Sequence, residues 1–195
     1  QNKKPGQFLL LGSTEFSKEL KIRESLVGRL SRVRLYPLTL PESLALPFRE
    51  LATIGFTRAT DSFTRRDFVK YLNRGGFPGI FAIREDRERS QRIEDWLTLT
   101  CERDALLFPK LRGDSDLCRR ILQTLARIEE PSIPEVIRAL KANPKKTATQ
   151  FQILSQLFVI NRIMPHPLGT GKPLYYLADS GLATALGAGF LRKLE

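Results

Sequence analysis

Histidine, tryptophan and methionine occur once each in this chain of 195 residues and cysteine only twice; the scarcity of cysteine and of histidine removes whole classes of function. Cys101 and Cys118 lack paired spacing, so they supply neither a disulfide framework nor a zinc site. They are expected to be core thiols in a reducing cytoplasm. The lone histidine, His166, lies between two prolines with no second histidine and no paired carboxylates beside it, which leaves metal binding and catalysis without a ligand set. No Ser/His/Asp set or glycosidase-type carboxylate pair is found either. No apolar run reaches the eighteen or so residues that span a bilayer, and the opening Gln-Asn-Lys-Lys-Pro lacks the apolar stretch of a secretory signal. A soluble cytoplasmic protein with no membrane partner is the expectation.

Positive charge is plentiful. The net charge is +11, with 8 basic against 3 acidic residues in 1–40, 13 against 11 in 41–112 and 11 against 7 in 113–195. An excess at the two ends suits an anionic partner such as nucleic acid or nucleotide phosphate, with a solvated basic surface as the plain alternative.

The stretch from Asp114 to Leu182 reads as a complete architectural unit. Leu117, Cys118, Ile121, Leu122 and Leu125 share one helical face opposite Arg119, Arg120 and Arg127. Ser132 and Glu135 form a capping-box pair ahead of a second helix with Ile133, Val136, Ile137 and Leu140 on one face. Asn143-Pro144-Lys145-Lys146 reads as a turn, and Thr147 with Gln150 as a second capping box before Phe151, Leu154, Leu157 and Phe158. Ile160 to Met164 and Leu174 to Leu177 flank a connection rich in turn formers and pair most naturally as a hairpin. Three helices and a hairpin in this order make a winged helix-turn-helix.

Before it, Phe8 to Leu11 is a short apolar run stopping at Gly12-Ser13, the pattern of a parallel strand buried on both faces. Arg32 to Leu38 is a second strand candidate, with helical stretches at Thr14 to Leu20 and Arg23 to Leu30 between them. One such unit cannot bury its own sheet, so a larger α/β domain is implied. From Pro41 the pattern weakens, with Phe48, Leu51, Ile54 and Phe56 suggesting a short helix. Thr64 to Leu72 is a better helix, ended by Asn73-Arg74-Gly75-Gly76, and Glu85 to Phe108 reads as one long helix burying Ile93, Leu97, Cys101 and Ala105. Its charged stretch, Arg84 to Glu94, reads as a solvated face.

Several of these segments carry a family resemblance. Leu11-Gly12-Ser13, Ser25-Leu-Val-Gly28-Arg29 and Tyr36-Pro-Leu-Thr39, followed by Gly75 to Ile80 (GGFPGI) and Lys172 to Leu182 (KPLYYLADSGL), resemble in order segments of prokaryotic AAA-superfamily P-loop ATPases that carry a C-terminal domain of unknown function. The resemblance implies a mixed, mainly α chain: the C-terminal edge of a parallel α/β core in 1–40, a helical lid and connecting helix in 41–112, and the winged helix in 113–195. It also implies ATP and Mg²⁺ as cofactors of the intact protein. The chain departs from that family in lacking the Gly-x4-Gly-Lys-Ser/Thr phosphate loop and the acidic pair that holds Mg²⁺. Gly169-Thr-Gly171-Lys172 does not substitute, since His166 and Pro173 stand where the loop needs Gly and Ser/Thr. A fragment that is not catalytically competent and holds no cofactor by itself is therefore expected, and the ending Arg192-Lys-Leu-Glu195 reads as stopping short of the family's usual extent.

By the resemblance, Ser13 would sense the γ-phosphate or position the attacking water, and Arg29 would reach a nucleotide phosphate; read as residues alone, Ser13 equally suits a helix cap and Arg29 a surface arginine. On the third helix, the inward set turns Thr149, Gln152, Ile153 and Gln156 outward, where glutamine can bond adenine edges in a major groove. Lys145, Lys146, Arg162 and Lys172 could contact phosphates of double-stranded DNA. Four flanking cations predict weak, strongly salt-dependent binding, and winged helices also serve as protein-interaction modules. Asp179 reads as the cap of a helix starting near Ser180. The oligomeric state is left open.

Overall fold

The fold is organised around helix ends whose caps are written into the sequence. A computed structural model of the chain describes residues 9–14, 31–46, 63–108 and 111–188. These hold α1 (Leu40–Ser43), α2 (Arg65–Arg74), α3 (Pro78–Phe81), α4 (Asp86–Glu102), a 3-10 turn (Asp104–Leu107), α5 (Ser115–Leu125), α6 (Ile133–Leu140), α7 (Pro144–Gln156), β1 (Ile160–Ile163), β2 (Leu174–Leu177) and α8 (Ser180–Ala185). The described chain is mainly helical, with one two-stranded antiparallel sheet.

Each helix of the C-terminal unit starts at a side-chain oxygen that accepts an otherwise orphaned N–H. Asp114 accepts from Leu117, Ser132 from Glu135 and Asn143 from Lys146. The reciprocal half of the box at Ser132 is absent because the Ser132 N–H goes to Glu130 O and Glu135 turns to Arg138, 2.5 Å away. The capping box expected at Thr147 and Gln150 is corrected: α7 begins four residues earlier, with Asn143 as cap and Pro144 in the first turn, where a missing N–H does no harm. Thr147 lies inside the helix and donates its hydroxyl to Asn143 O.

α5, α6, α7 and the hairpin share one core, in which Ile121, Leu122, Val136, Phe151, Leu154, Val159 and Leu182 are fully or nearly fully buried. Ile160 pairs with Leu177 and Ile163 with Leu174, as the hairpin reading required. Phe151 and Tyr175 meet edge to face with centroids 4.9 Å apart. Tyr175 also donates its N–H to Pro131 O, tying β2 to the loop before α6.

α4 continues this core through Ile93, Leu97 and Cys101. It is not one helix to Phe108: it ends at Glu102, and the 3-10 turn lets the chain reverse with Gly113 against Ala105, where a Cβ would meet Ala105 O at 2.4 Å. Its charged face is solvated except for Arg89, which is buried and bonded to Ile83 O and Asp86. Both cysteines are free and buried, and burial pushes Cys101 up to about 11 and Cys118 to about 12, so neither thiol is a nucleophile near neutrality.

The strands expected at 8–11 and 32–38 are not formed in the described residues. Leu9 is 82% and Leu35 87% exposed, and neither segment joins a ladder. A strand buried on both faces needs neighbours on both edges and helices above and below, which the described residues do not supply. The helical stretches read within 15–30, and the one near Phe48 to Phe56, fall in residues 15–30 and 47–62, outside the described residues.

Candidate functional site

Two places combine polar chemistry with an arrangement that local sequence does not require. The first is a buried junction where three distant segments meet. α2 is opened by a full capping box between Thr64 and Asp67, and it closes at Gly75, whose φ of 73° and ψ of −169° turn the chain sharply out of the helix. That turn aims the Gly76 N–H at Asp179, whose Oδ2 accepts it at 2.6 Å. Asp179 Oδ1 meanwhile accepts from Leu182 and so caps α8, the role its sequence suggested. On the other side of the same glycine, Gly76 O accepts the Leu38 N–H at 2.7 Å, and Leu38 O accepts the Tyr71 hydroxyl at 2.8 Å.

The glycines are set by this crowding. A Cβ on Gly76 would fall 2.0 Å from Leu38 O, and one on Gly181 would fall 2.4 Å from Arg74 O. Carbonyls at the end of α2 are also met by α8: Thr184 donates its hydroxyl to Leu72 O at 3.1 Å, and Ser180 to Tyr71 O at 3.5 Å beside the Gly75 N–H that this carbonyl already accepts. Burial pushes the Asp179 carboxyl above its ordinary value, against the pull of the N–H groups of Gly76, Leu182, Gly181 and Phe77. No described ion pair includes it. Burial, then the Asp179 and Glu42 charges, raises Tyr71 as well, so its hydroxyl stays a donor. Next to the junction, Phe77 packs on Trp96 with centroids 5.1 Å apart.

A second contact holds the same N-terminal segment to the C-terminal unit. The Arg34 guanidinium lies between the rings of Tyr36 and Phe158, 4.7 and 4.5 Å from their centroids, and donates to Asn161 Oδ1 at 2.8 Å. Phe158 turns the chain from α7 into β1 at a φ of 57°, an uncommon conformation for a bulky residue. Residues 34–38 are thus fastened to the hairpin at one end and to the α2 exit loop at the other.

The second place is the exposed side of α7 and the hairpin. Lys145, Lys146, Gln152, Arg162 and Lys172 are all exposed, and none of them pairs with a carboxylate among the described residues. Thr149 is half-buried and donates its hydroxyl to Lys145 O, within its own helix. Ile153 and Gln156 do not turn outward: they are 0% and 6% exposed. α7 packs on α5 and α6 along one side and on β1 along another, so its buried arc is wider than one stripe and the outward face narrows to Lys145, Ala148, Thr149 and Gln152. Ser13 is exposed in the bend at 13–14, and Arg29 lies outside the described residues. His166 is exposed and accepts the Leu168 N–H at Nδ1, a local turn bond. Among the described residues no group of His, Cys, Asp and Glu could hold a metal, and no helix is long and apolar enough to cross a membrane.

A family model described as a domain of unknown function (DUF8612) matches residues 65–192. The chain belongs to that family. No curated protein matches it. The DUF8612 span begins with α2 and takes in both Gly75-Gly76 and Asp179, so the α2 to α8 half of the junction lies within the family region. Leu38 and Arg34 reach it from outside. The sequence pattern marks Gly75-Gly76 and the Asp179 run only as separate motifs and gives Gln150 to a cap; it does not show the bonds of Arg34 to Asn161, Tyr71 to Leu38, or Gln150 to Arg112, Asp114 and Cys118, each across at least 32 residues.

Proposed function

We propose that this chain is the transmitting part of an AAA-type ATPase: a helical lid that carries a winged helix-turn-helix unit and links it to a nucleotide-handling core, without turning over nucleotide itself. α5, α6 and α7 followed by the hairpin supply the winged unit, and α2 to α4 the lid. One observation carries the reading. Three of the segments that resemble those ATPases, at 36–39, 75–80 and 172–182, are far apart in sequence and meet at a single buried junction through Leu38, Gly76 and Asp179. The segment that resembles the end of the ATPase core is therefore bonded to the lid, and the lid to the helix after the hairpin.

In the complete protein the core would hold ATP and Mg²⁺, with Ser13 near the γ-phosphate and Arg29 on the phosphates. The gene is expected to encode a Gly-x4-Gly-Lys-Ser/Thr loop ahead of Leu11-Gly12-Ser13. Ser13→Ala and Arg29→Ala in that ATPase should each lower kcat by about tenfold or more, while the chain described here hydrolyses no ATP. A gene with no such loop, or turnover by this chain alone, sinks the reading.

The unpaired cations favour double-stranded DNA as the partner of the winged unit. Lys145, Lys146, Arg162 and Lys172 flank an outward face that presents Gln152. With about 0.9 counterions released per neutralised phosphate, Lys145→Ala with Lys146→Ala should reduce the slope of log affinity against log salt by about 1.8 and weaken duplex binding about tenfold at low salt. A salt-titrated fluorescence-anisotropy series reads both quantities. Unchanged slope and affinity in the double variant would assign the winged unit to protein contact instead.

A further inference from the structure

We propose that the Leu38, Gly76 and Asp179 junction is a latch that opens as one unit, releasing residues 34–39, the end of α2 and the start of α8 from one another in a single step. It depends on the ATPase reading only for where a movement would originate; the latch itself follows from its bonds.

Those bonds form an unbroken series. The Tyr71 hydroxyl donates to Leu38 O, the Leu38 N–H to Gly76 O, the Gly76 N–H to Asp179 Oδ2 and the Leu182 N–H to Asp179 Oδ1. Gly76 donates on one side and accepts on the other, so one residue is held from both sides and a shift that lengthens either bond moves the other. No single member can part from the rest. Asp179 is 5% exposed and has no cation partner among the described ion pairs, so withdrawing its N–H donors without admitting water would strand a buried charge. Water can enter only if α2 and α8 separate. That separation also breaks the hydroxyl bonds of Ser180 and Thr184. Leu182 also packs in the core of α5 to α7, but the helix bonds of those three elements are no part of the series and can stay formed while the start of α8 opens.

Hydrogen exchange of the whole chain, read amide by amide, tests this under conditions where exchange reports the opening equilibrium. Tyr71→Phe deletes one hydroxyl at the far end of the series. It should speed exchange of the Leu38, Gly76 and Leu182 amides together, by about fivefold, the share expected of one hydrogen bond, although Leu182 makes no bond to the group that the Tyr71 hydroxyl touches. Asp179→Asn should speed the same three by tenfold or more, including Leu38, which Asp179 does not contact. The amides of Ala126 and Val136, bonded to Leu122 O and Ser132 O in α5 and α6, should keep their rates. If Leu182 is unmoved by Tyr71→Phe, the bonds open independently and the latch is overturned. It is overturned equally if Ala126 and Val136 accelerate as much as the junction, since the variants would then only loosen the whole fold. Tyr71→Phe alters no buried charge, so the test survives if Asp179→Asn fails to fold. No nucleotide enters the measurement, so the latch can fail while the ATPase assignment stands, and the reverse.

Discussion

Gly75→Ala is expected to destabilise the protein by about 3 to 5 kcal/mol, from two effects that act at one atom. The backbone at Gly75 has a φ of 73° and a ψ of −169°, a region that residues with a side chain essentially do not occupy, at roughly 1–3 kcal/mol of strain. The added methyl would also stand 2.1 Å from Asp179 Oδ1 and 2.7 Å from its Cγ. Relieving that overlap means pushing the carboxylate off the N–H groups of Gly76 and Leu182, which then lie buried without an acceptor, at about 1–3 kcal/mol each. The loss is comparable with a small domain's whole stability of about 5–15 kcal/mol. Trp96, packed on Phe77 beside the junction, gives a fluorescence reporter for urea unfolding. The midpoint should fall by about 1.5 M or more for a slope near 2 kcal/mol/M. Gly79→Ala, four residues on, is the control. Its Cβ would meet nothing within 4 Å inside α3, so it should be neutral or stabilising by up to about 1 kcal/mol. Equal shifts in the two variants would refute this account of Gly75.

The contrast between those two glycines also marks where sequence was informative and where it was not. The C-terminal unit was legible because each of its elements is announced within four residues: Asp114, Ser132 and Asp179 cap the helices they precede, and turn formers separate the two apolar segments of the hairpin. The start of α7 was misplaced because Asn143 and Thr147 are both competent caps; Pro144, suited to a first turn and unable to continue a preceding helix, decides for Asn143. The outward stripe of α7 was drawn too wide because periodicity names the centre of a buried face, not its breadth. α7 packs on β1 as well as on α5 and α6, and Ile153 and Gln156 are buried with the rest. The long helix was overextended because Ala105 keeps the helical spacing of the buried face across the break at Arg103.

The junction belongs to a different order of difficulty. Gly76 and Asp179 are 103 positions apart, and Arg34 and Asn161 are 127 apart; no periodicity or capping rule spans such distances. The only hint was that GGFPGI and KPLYYLADSGL resembled segments of one family in a fixed order. Geometry supplies the physical reason for two of those motifs: Gly75, Gly76 and Gly181 leave room for Asp179, Leu38 and Arg74, and Asp179 answers N–H groups from both motifs.

Gln150→Leu should lower stability by about 2–4 kcal/mol despite replacing an amide with an apolar side chain of similar size in a packed core. Gln150 is 1% exposed and faces the start of α5. Its Oε1 accepts the Asp114 N–H at 3.1 Å and the Cys118 thiol at 3.2 Å, and its Nε2 donates to Arg112 O at 2.9 Å. Leucine would satisfy Cys118, since a thiol is at ease among apolar groups. It would leave the Asp114 N–H and the Arg112 carbonyl facing a methyl, each at about 1–3 kcal/mol, and the apolar gain offsets only part of this. Both groups lie where the chain enters α5, so the loss should appear as faster hydrogen exchange at Leu117 and Cys118, the first amides bonded to Asp114. Gln152→Leu, two residues along on the exposed side of the same helix, should change stability by less than about 0.5 kcal/mol. If the two substitutions have the same effect, Gln150 is filler rather than the tie between α7 and α5. A large loss confined to Gln150 shows that a glutamine, here, fixes how two helices of the DUF8612 region meet.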